Sequence, residues 1–66
     1  MQILVNGESR ALPPEGALAA LLAQLELGER RVAVELNGTI VPRSRWNQVS
    51  LHDGDRIEIV HAIGGG

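Results

Sequence analysis

The residues with the most evident chemistry close the sequence: Gly64-Gly65-Gly66, directly after the strand-like Val60-His61-Ala62-Ile63. Glycine offers no side chain to pack, charge or bond, and it loses more conformational entropy on ordering than any other residue. Such an end suits one task well, which is to carry a carboxylate on a thin stalk. A carboxylate is a poor electrophile, but ATP can convert it to an acyl-adenylate, and a sulfur or nitrogen nucleophile on a partner enzyme can then take the acyl group. A stalk without side chains can thread a narrow channel with its backbone close to the walls. The competing reading of the tail, a cloning remnant or ordinary terminal disorder, has to be weighed against the rest of the sequence.

Little else in the sequence can do chemistry. There is no cysteine, which removes disulfides, thiolate metal sites and cysteine nucleophiles together. His52 and His61 are the only histidines and lie too far apart to suggest a metal cluster. We therefore expect no catalytic residues of its own, no metal and no bound cofactor. The net charge is −2, and all six basic residues are arginine, with no basic stripe for nucleic acid. No apolar run reaches membrane-spanning length, and the opening segment lacks the pattern of a signal peptide, so a soluble, cytoplasmic protein is expected. At 66 residues the chain is one domain with a small core.

The elements that must position the tail follow from periodicity. Met1 to Val5 alternates as a strand, Asn6-Gly7 is a strong hairpin signal, and Glu8 to Leu12 returns as a polar edge strand ended by Pro13-Pro14. In "EGALAALLAQLELG", Leu18, Leu21, Leu22 and Leu25 form one stripe of an amphipathic helix. Gly28 is its expected stop, and Gly16 its modest cap, because Ala17 stands where Ser or Thr would serve better. Arg31 to Leu36 alternates again, Asn37-Gly38 turns into Thr39-Ile40-Val41, and Arg43 to Gln48 reads as irregular. Trp46, the only aromatic residue, is expected to pack that loop onto the core. Asp53-Gly54 leads into the last strand, Arg56 to Ile63.

Two hairpins around one helix restrict the topology. The compact solution sets the first and last strands side by side and parallel, through a right-handed helical crossover. The result is an α+β β-grasp: a mixed sheet of about five strands in the order ββαβββ, with one helix packed on one face. Residues 1–63 form the domain and residues 64–66 a flexible tail. Ile3, Val5, Val34, Leu36, Ile57 and Ile59 should meet the leucine stripe. Strand parity leaves Leu4 and Val60 on the uncovered face, on adjacent strands near the tail, with Glu35 and Glu58 as a polar rim. That face is the expected docking surface, with Leu4, Val60 and Ile63 as partner-binding residues, and Ile63 is also the last anchored side chain before the stalk.

The chain as a whole resembles the ThiS sulfur carrier family of thiamine biosynthesis, a ubiquitin-like β-grasp family. The resemblance rests on "MQILVNG", on "NGTIVPRSRW" with its Val41-Pro42-Arg43 and Trp46, on "HDGDRIEIV", and on the terminal "AIGGG". Ala17 departs from it, since the family often has a capping Thr there. The resemblance implies that a ThiF-like adenylating enzyme activates the Gly66 carboxylate with MgATP. Sulfur from a persulfide donor then gives a thiocarboxylate, which a ThiG-like thiazole synthase uses. Gly64 and Gly65 would thread the partner's channel, and the protein would be a co-substrate rather than an enzyme. Three alternatives stay open: the small subunit of molybdopterin synthase, a ubiquitin-like protein modifier, and a β-grasp binding module with an incidental tail.

Overall fold

The computed structural model describes residues 1–61. Ala62, Ile63, Gly64, Gly65 and Gly66 lie outside the described residues, and with them the expected anchor at Ile63 and the whole stalk.

Five strands form one mixed sheet: β1 (Gln2–Val5), β2 (Glu8–Ala11), β3 (Val32–Leu36), β4 (Thr39–Ile40) and β5 (Arg56–His61). Their spatial order is β2-β1-β5-β3-β4, with β1 and β5 parallel and every other neighbouring pair antiparallel. The last strand is therefore the centre of the sheet, as the crossover argument requires. Helix α1 (Leu18–Gln24) covers one face.

Period-two alternation decides which side chains meet the helix. Ile3 and Val5 of β1, Val34 of β3, and Ile57 and Ile59 of β5 are all buried, together with Leu18, Leu21 and Leu22 of α1. Leu36 and Leu25 are half-buried and pack against that cluster. An isolated helix of seven residues would be marginal in water. What holds α1 is this apolar stripe, in which each fully buried leucine contributes about 1.5–3 kcal/mol.

The helix is shorter at both ends than its sequence pattern. Gly28 is not the stop. The chain reverses at Glu26, which takes a left-handed φ of 60°, so that the Glu26 N–H bonds the Ala23 carbonyl at 3.0 Å and the Leu27 N–H bonds the Leu22 carbonyl at 2.8 Å. This pair of bonds is a Schellman motif, which swings Leu27 back to pack against the core. Gly16 is not the cap either. Ala17 occupies the N-cap in an extended conformation with no side-chain bond, and the Leu18 N–H is satisfied by the Val49 carbonyl at 3.0 Å.

The segment read as irregular is a 3-10 helix, Arg43–Gln48, and Trp46 in it is buried. The Trp46 indole N–H donates to the Val41 carbonyl at 3.0 Å. The Arg43 guanidinium donates to the carbonyls of Gly28 and Arg30, tying the stretch after α1 to this loop.

Both hairpin turns carry asparagine in the left-handed region, Asn6 and Asn37 each at φ 51°, followed by glycine at φ 85° and 89°. These are the two positive-φ central residues that a type I′ turn demands. Each asparagine also reaches across to β5. The Asn37 side-chain oxygen accepts the Arg56 N–H at 2.9 Å, and the Asn6 side-chain oxygen accepts the Ile59 N–H at 2.7 Å.

Candidate functional site

Among the described residues no helix or loop covers the sheet face opposite α1, and the described part of the candidate site lies there. Leu4 and Val60 both project from it, 37% and 61% exposed. They are not neighbours. In the parallel pair, Leu4 is level with Arg56 at the start of β5, so Val60 stands four residues further on, about 13 Å along the strand. Val60 stands next to the end of β5 and Leu4 beside its start, so the two do not form the adjacent pair that parity alone suggests.

Val60 pairs across β3 with Ala33, whose small side chain is exposed on the same face. Ile40, 66% exposed, pairs with Glu35, and Glu35 pairs in turn with Glu58. Ile40 is thus level with Glu58, two residues from Val60 along the strand direction. Sequence reading left Ile40 unassigned. The signal was available, because a two-residue Asn37-Gly38 turn fixes Leu36 opposite Thr39 and Glu35 opposite Ile40.

Glu35 and Glu58 do not rim the face. They stand directly opposite one another in its middle, beside Arg56 and Gly38 in a shallow depression of about 210 Å³. Like charges placed directly opposite across a ladder are destabilising. The open face therefore consists of an apolar strip (Val60, Ala33, Ile40) toward the end of β5, a carboxylate pair beside it, and Leu4 on the far side of Arg56.

The loop before β5 fixes this register. The Gln2 N–H bonds an Asp53 carboxylate oxygen at 2.7 Å, the Gly54 N–H bonds the Gln2 carbonyl at 2.7 Å, and the Leu4 N–H bonds the Asp55 carbonyl at 2.9 Å. Asp55 is held in turn, accepting from the His52 N–H at 2.8 Å and from the Asn37 side-chain amide at 3.0 Å. His52 and Asp55 are thus part of a structural clasp. Among the described residues no group of three or more His, Cys, Asp or Glu side chains converges to hold a metal ion. No helix among them is long and apolar enough to cross a membrane.

A five-stranded mixed sheet with parallel central strands and one covering helix defines a ubiquitin-like β-grasp domain. The crystal structure of the thiamine biosynthesis protein ThiS from Geobacter metallireducens superposes with a TM-score of 0.83 at 30% identity, covering 100% of both chains. The ThiS family profile matches residues 3–66. The chain belongs to the ThiS family. The sulfur carrier protein ThiS of Escherichia coli (strain K12) is 36% identical over 66 residues, 100% of each chain. A thiazole synthase of Paramagnetospirillum magneticum is 47% identical over the same 66 residues, and there the chain spans only 20% of the relative's length.

Proposed function

We propose that this chain is a sulfur carrier for thiazole formation in thiamine biosynthesis, with the Gly66 carboxylate as its reactive group. The observation that carries the reading is a family match running through Gly66, joined to 36% identity over the full length of a sulfur carrier. The protein is then a co-substrate in the cytoplasm, and a ThiF-like enzyme supplies the catalytic residues. A carboxylate oxygen of Gly66 attacks the α-phosphorus of MgATP and pyrophosphate leaves. The terminal sulfur of a persulfide attacks the acyl carbon of the adenylate, and AMP leaves with the acyl C–O electrons. A second thiol takes the donor's sulfur as a disulfide, which leaves the thiocarboxylate on Gly66. A ThiG-like thiazole synthase accepts that sulfur. This route needs no thiol on the carrier, in keeping with a sequence without cysteine. The likeness to a thiazole synthase in which such a segment makes up a fifth of the length supports carrier and synthase as working partners.

The test has two arms. Purified protein incubated with the adenylating enzyme, MgATP and a persulfide donor should gain the mass of one oxygen-to-sulfur exchange at its C-terminus. Deleting Gly66 should abolish both that gain and ATP–pyrophosphate exchange. Normal exchange by the truncated protein overturns the reading.

A further inference from the structure

The registered pairing of β1 with β5 ends at Val5 and Ile57, because β1 turns away at Asn6 with a left-handed φ. The Asn6 N–H still reaches the Ile57 carbonyl at 2.9 Å. Two residues further on, Ile59 has no strand partner on that side among the described residues; it meets the side chain of Asn6. The Asn6 amide oxygen accepts the Ile59 N–H at 2.7 Å, and the Asn6 amide nitrogen donates to the Ile59 carbonyl at 3.1 Å. One side chain thus reproduces both backbone groups that a longer β1 would have offered. On its other side this part of β5 pairs with β3, from Glu35↔Glu58 to Val32↔His61.

We infer that Asn6 is a positioning residue for the transfer reaction: by holding Ile59 on both of its backbone groups, it fixes the end of β5 from which the reactive tail departs. The inference rests on the sulfur-carrier reading. A partner enzyme must bind the open face and the tail together, so an end of β5 held on one side only has to be ordered when the complex forms. That cost falls on binding before it falls on chemistry. Asn37 provides the internal control. It sits in the same kind of turn with the same φ and clasps the same strand, but at Arg56, the end remote from the tail.

Asn6→Gly and Asn37→Gly both keep a residue at ease with positive φ and both remove the side-chain bonds. Two readouts separate position from stability. Amide hydrogen exchange at Ile59 should accelerate about tenfold or more in Asn6→Gly and change little in Asn37→Gly. In ATP–pyrophosphate exchange with the adenylating enzyme, KM for Asn6→Gly should rise about threefold to tenfold with kcat within about twofold of wild type, while Asn37→Gly keeps both. Asn6→Asp keeps the acceptor for the Ile59 N–H, loses the donor, and should fall between. If Asn6→Gly folds too poorly to assay, the intermediate KM of Asn6→Asp carries the test. Equal KM for the Asn6 variants and Asn37→Gly overturns the positioning role while the carrier reading stands. A wild-type protein inert in the exchange assay overturns the carrier reading and the positioning role with it.

Discussion

The Arg43 guanidinium carbon lies 4.5 Å from the centre of the Trp46 ring, over the face of the indole, while the same guanidinium bonds the carbonyls of Gly28 and Arg30. Trp46 is buried and bonded to the Val41 carbonyl, so Val41, Pro42, Arg43 and Trp46 form one clamp closing the loop after β4 against the loop after α1. Pro42 is the extended residue before the 3-10 helix, where its missing N–H costs nothing. The segment that carries much of the family likeness is thus a structural device, and it ties down the stretch leading into Val32, which pairs with His61 at the end of β5.

Arginine is required there because its planar fork spans two carbonyls while its face stacks on an aromatic ring. Arg43→Lys keeps the charge and loses that geometry. It should lower stability by about 1 kcal/mol, or about 4–8 °C in Tm, without changing sulfur transfer at temperatures well below the transition. Trp46 is the only aromatic residue in the chain, so its fluorescence follows unfolding directly. An unchanged Tm in Arg43→Lys would show that the clamp contributes nothing.

Glu26 holds a left-handed φ of 60° with a side chain attached, a conformation that costs a non-glycine residue about 1–2 kcal/mol. Glu26→Gly should therefore raise stability by about 1 kcal/mol, reduced from the full strain by the greater freedom of glycine in the unfolded chain. Glu26→Ala, which keeps the Cβ, should not. Urea unfolding of the two variants side by side decides the matter, and a stabilised Ala variant would remove strain as the cause.

Ala17 has the extended backbone of an N-cap and no group to cap with. Ala17→Thr should offer a side-chain oxygen to the first turn, where the Leu18 and Ala20 N–H groups already have backbone partners, and add about 0.5–2 kcal/mol by the same measurement. A loss of stability would mean that the bridge between Ala17 and Ser50 leaves no room for the hydroxyl.

These positions also show how far the sequence could be read. Strand parity, the leucine stripe and the Asn-Gly dipeptides determine the topology, because each depends on residues close in the chain. The end of α1 was misread for the same reason. Leu25 and Gly28 continue a helical pattern, and only the packing of Leu27 against the core selects Glu26 for the reversal. Leu4 was placed on the correct face but at the wrong level. Parity fixes a face, whereas the register of β1 against β5 is set by the bonds of Gln2 and Leu4 to the loop at Asp53–Asp55, some fifty residues away. The clasp of Asn6 on Ile59 was hidden likewise, since it exists only once β1 and β5 are known to be neighbours.

If Gly64 and Gly65 thread a partner's channel, a methyl group should obstruct most where the channel is narrowest, beside the reacting carbonyl. Gly65→Ala should then reduce ATP–pyrophosphate exchange severely and Gly64→Ala, nearer the mouth, much less. Equal losses at the two positions would argue against threading.

The open face gives a graded test of docking. Val60, Ala33 and Ile40 form its apolar strip at the end of β5, and Leu4 stands apart, beyond Arg56. Interfaces concentrate binding energy in a few central, desolvated side chains. A partner that also receives the tail must cover the strip before it reaches Leu4. Val60→Glu should therefore weaken binding to the adenylating enzyme by about tenfold or more, whereas Leu4→Glu should cost less. Neither residue belongs to the buried cluster, so both variants should keep their stability within about 0.5 kcal/mol. Titration calorimetry with the partner, paired with thermal melts of the free protein, distinguishes the outcomes. Equal losses at Leu4 and Val60 would extend the interface over the whole face. A sharp drop in Tm for Val60→Glu, with unchanged affinity of the folded fraction, would assign Val60 to the core and leave the docking surface elsewhere.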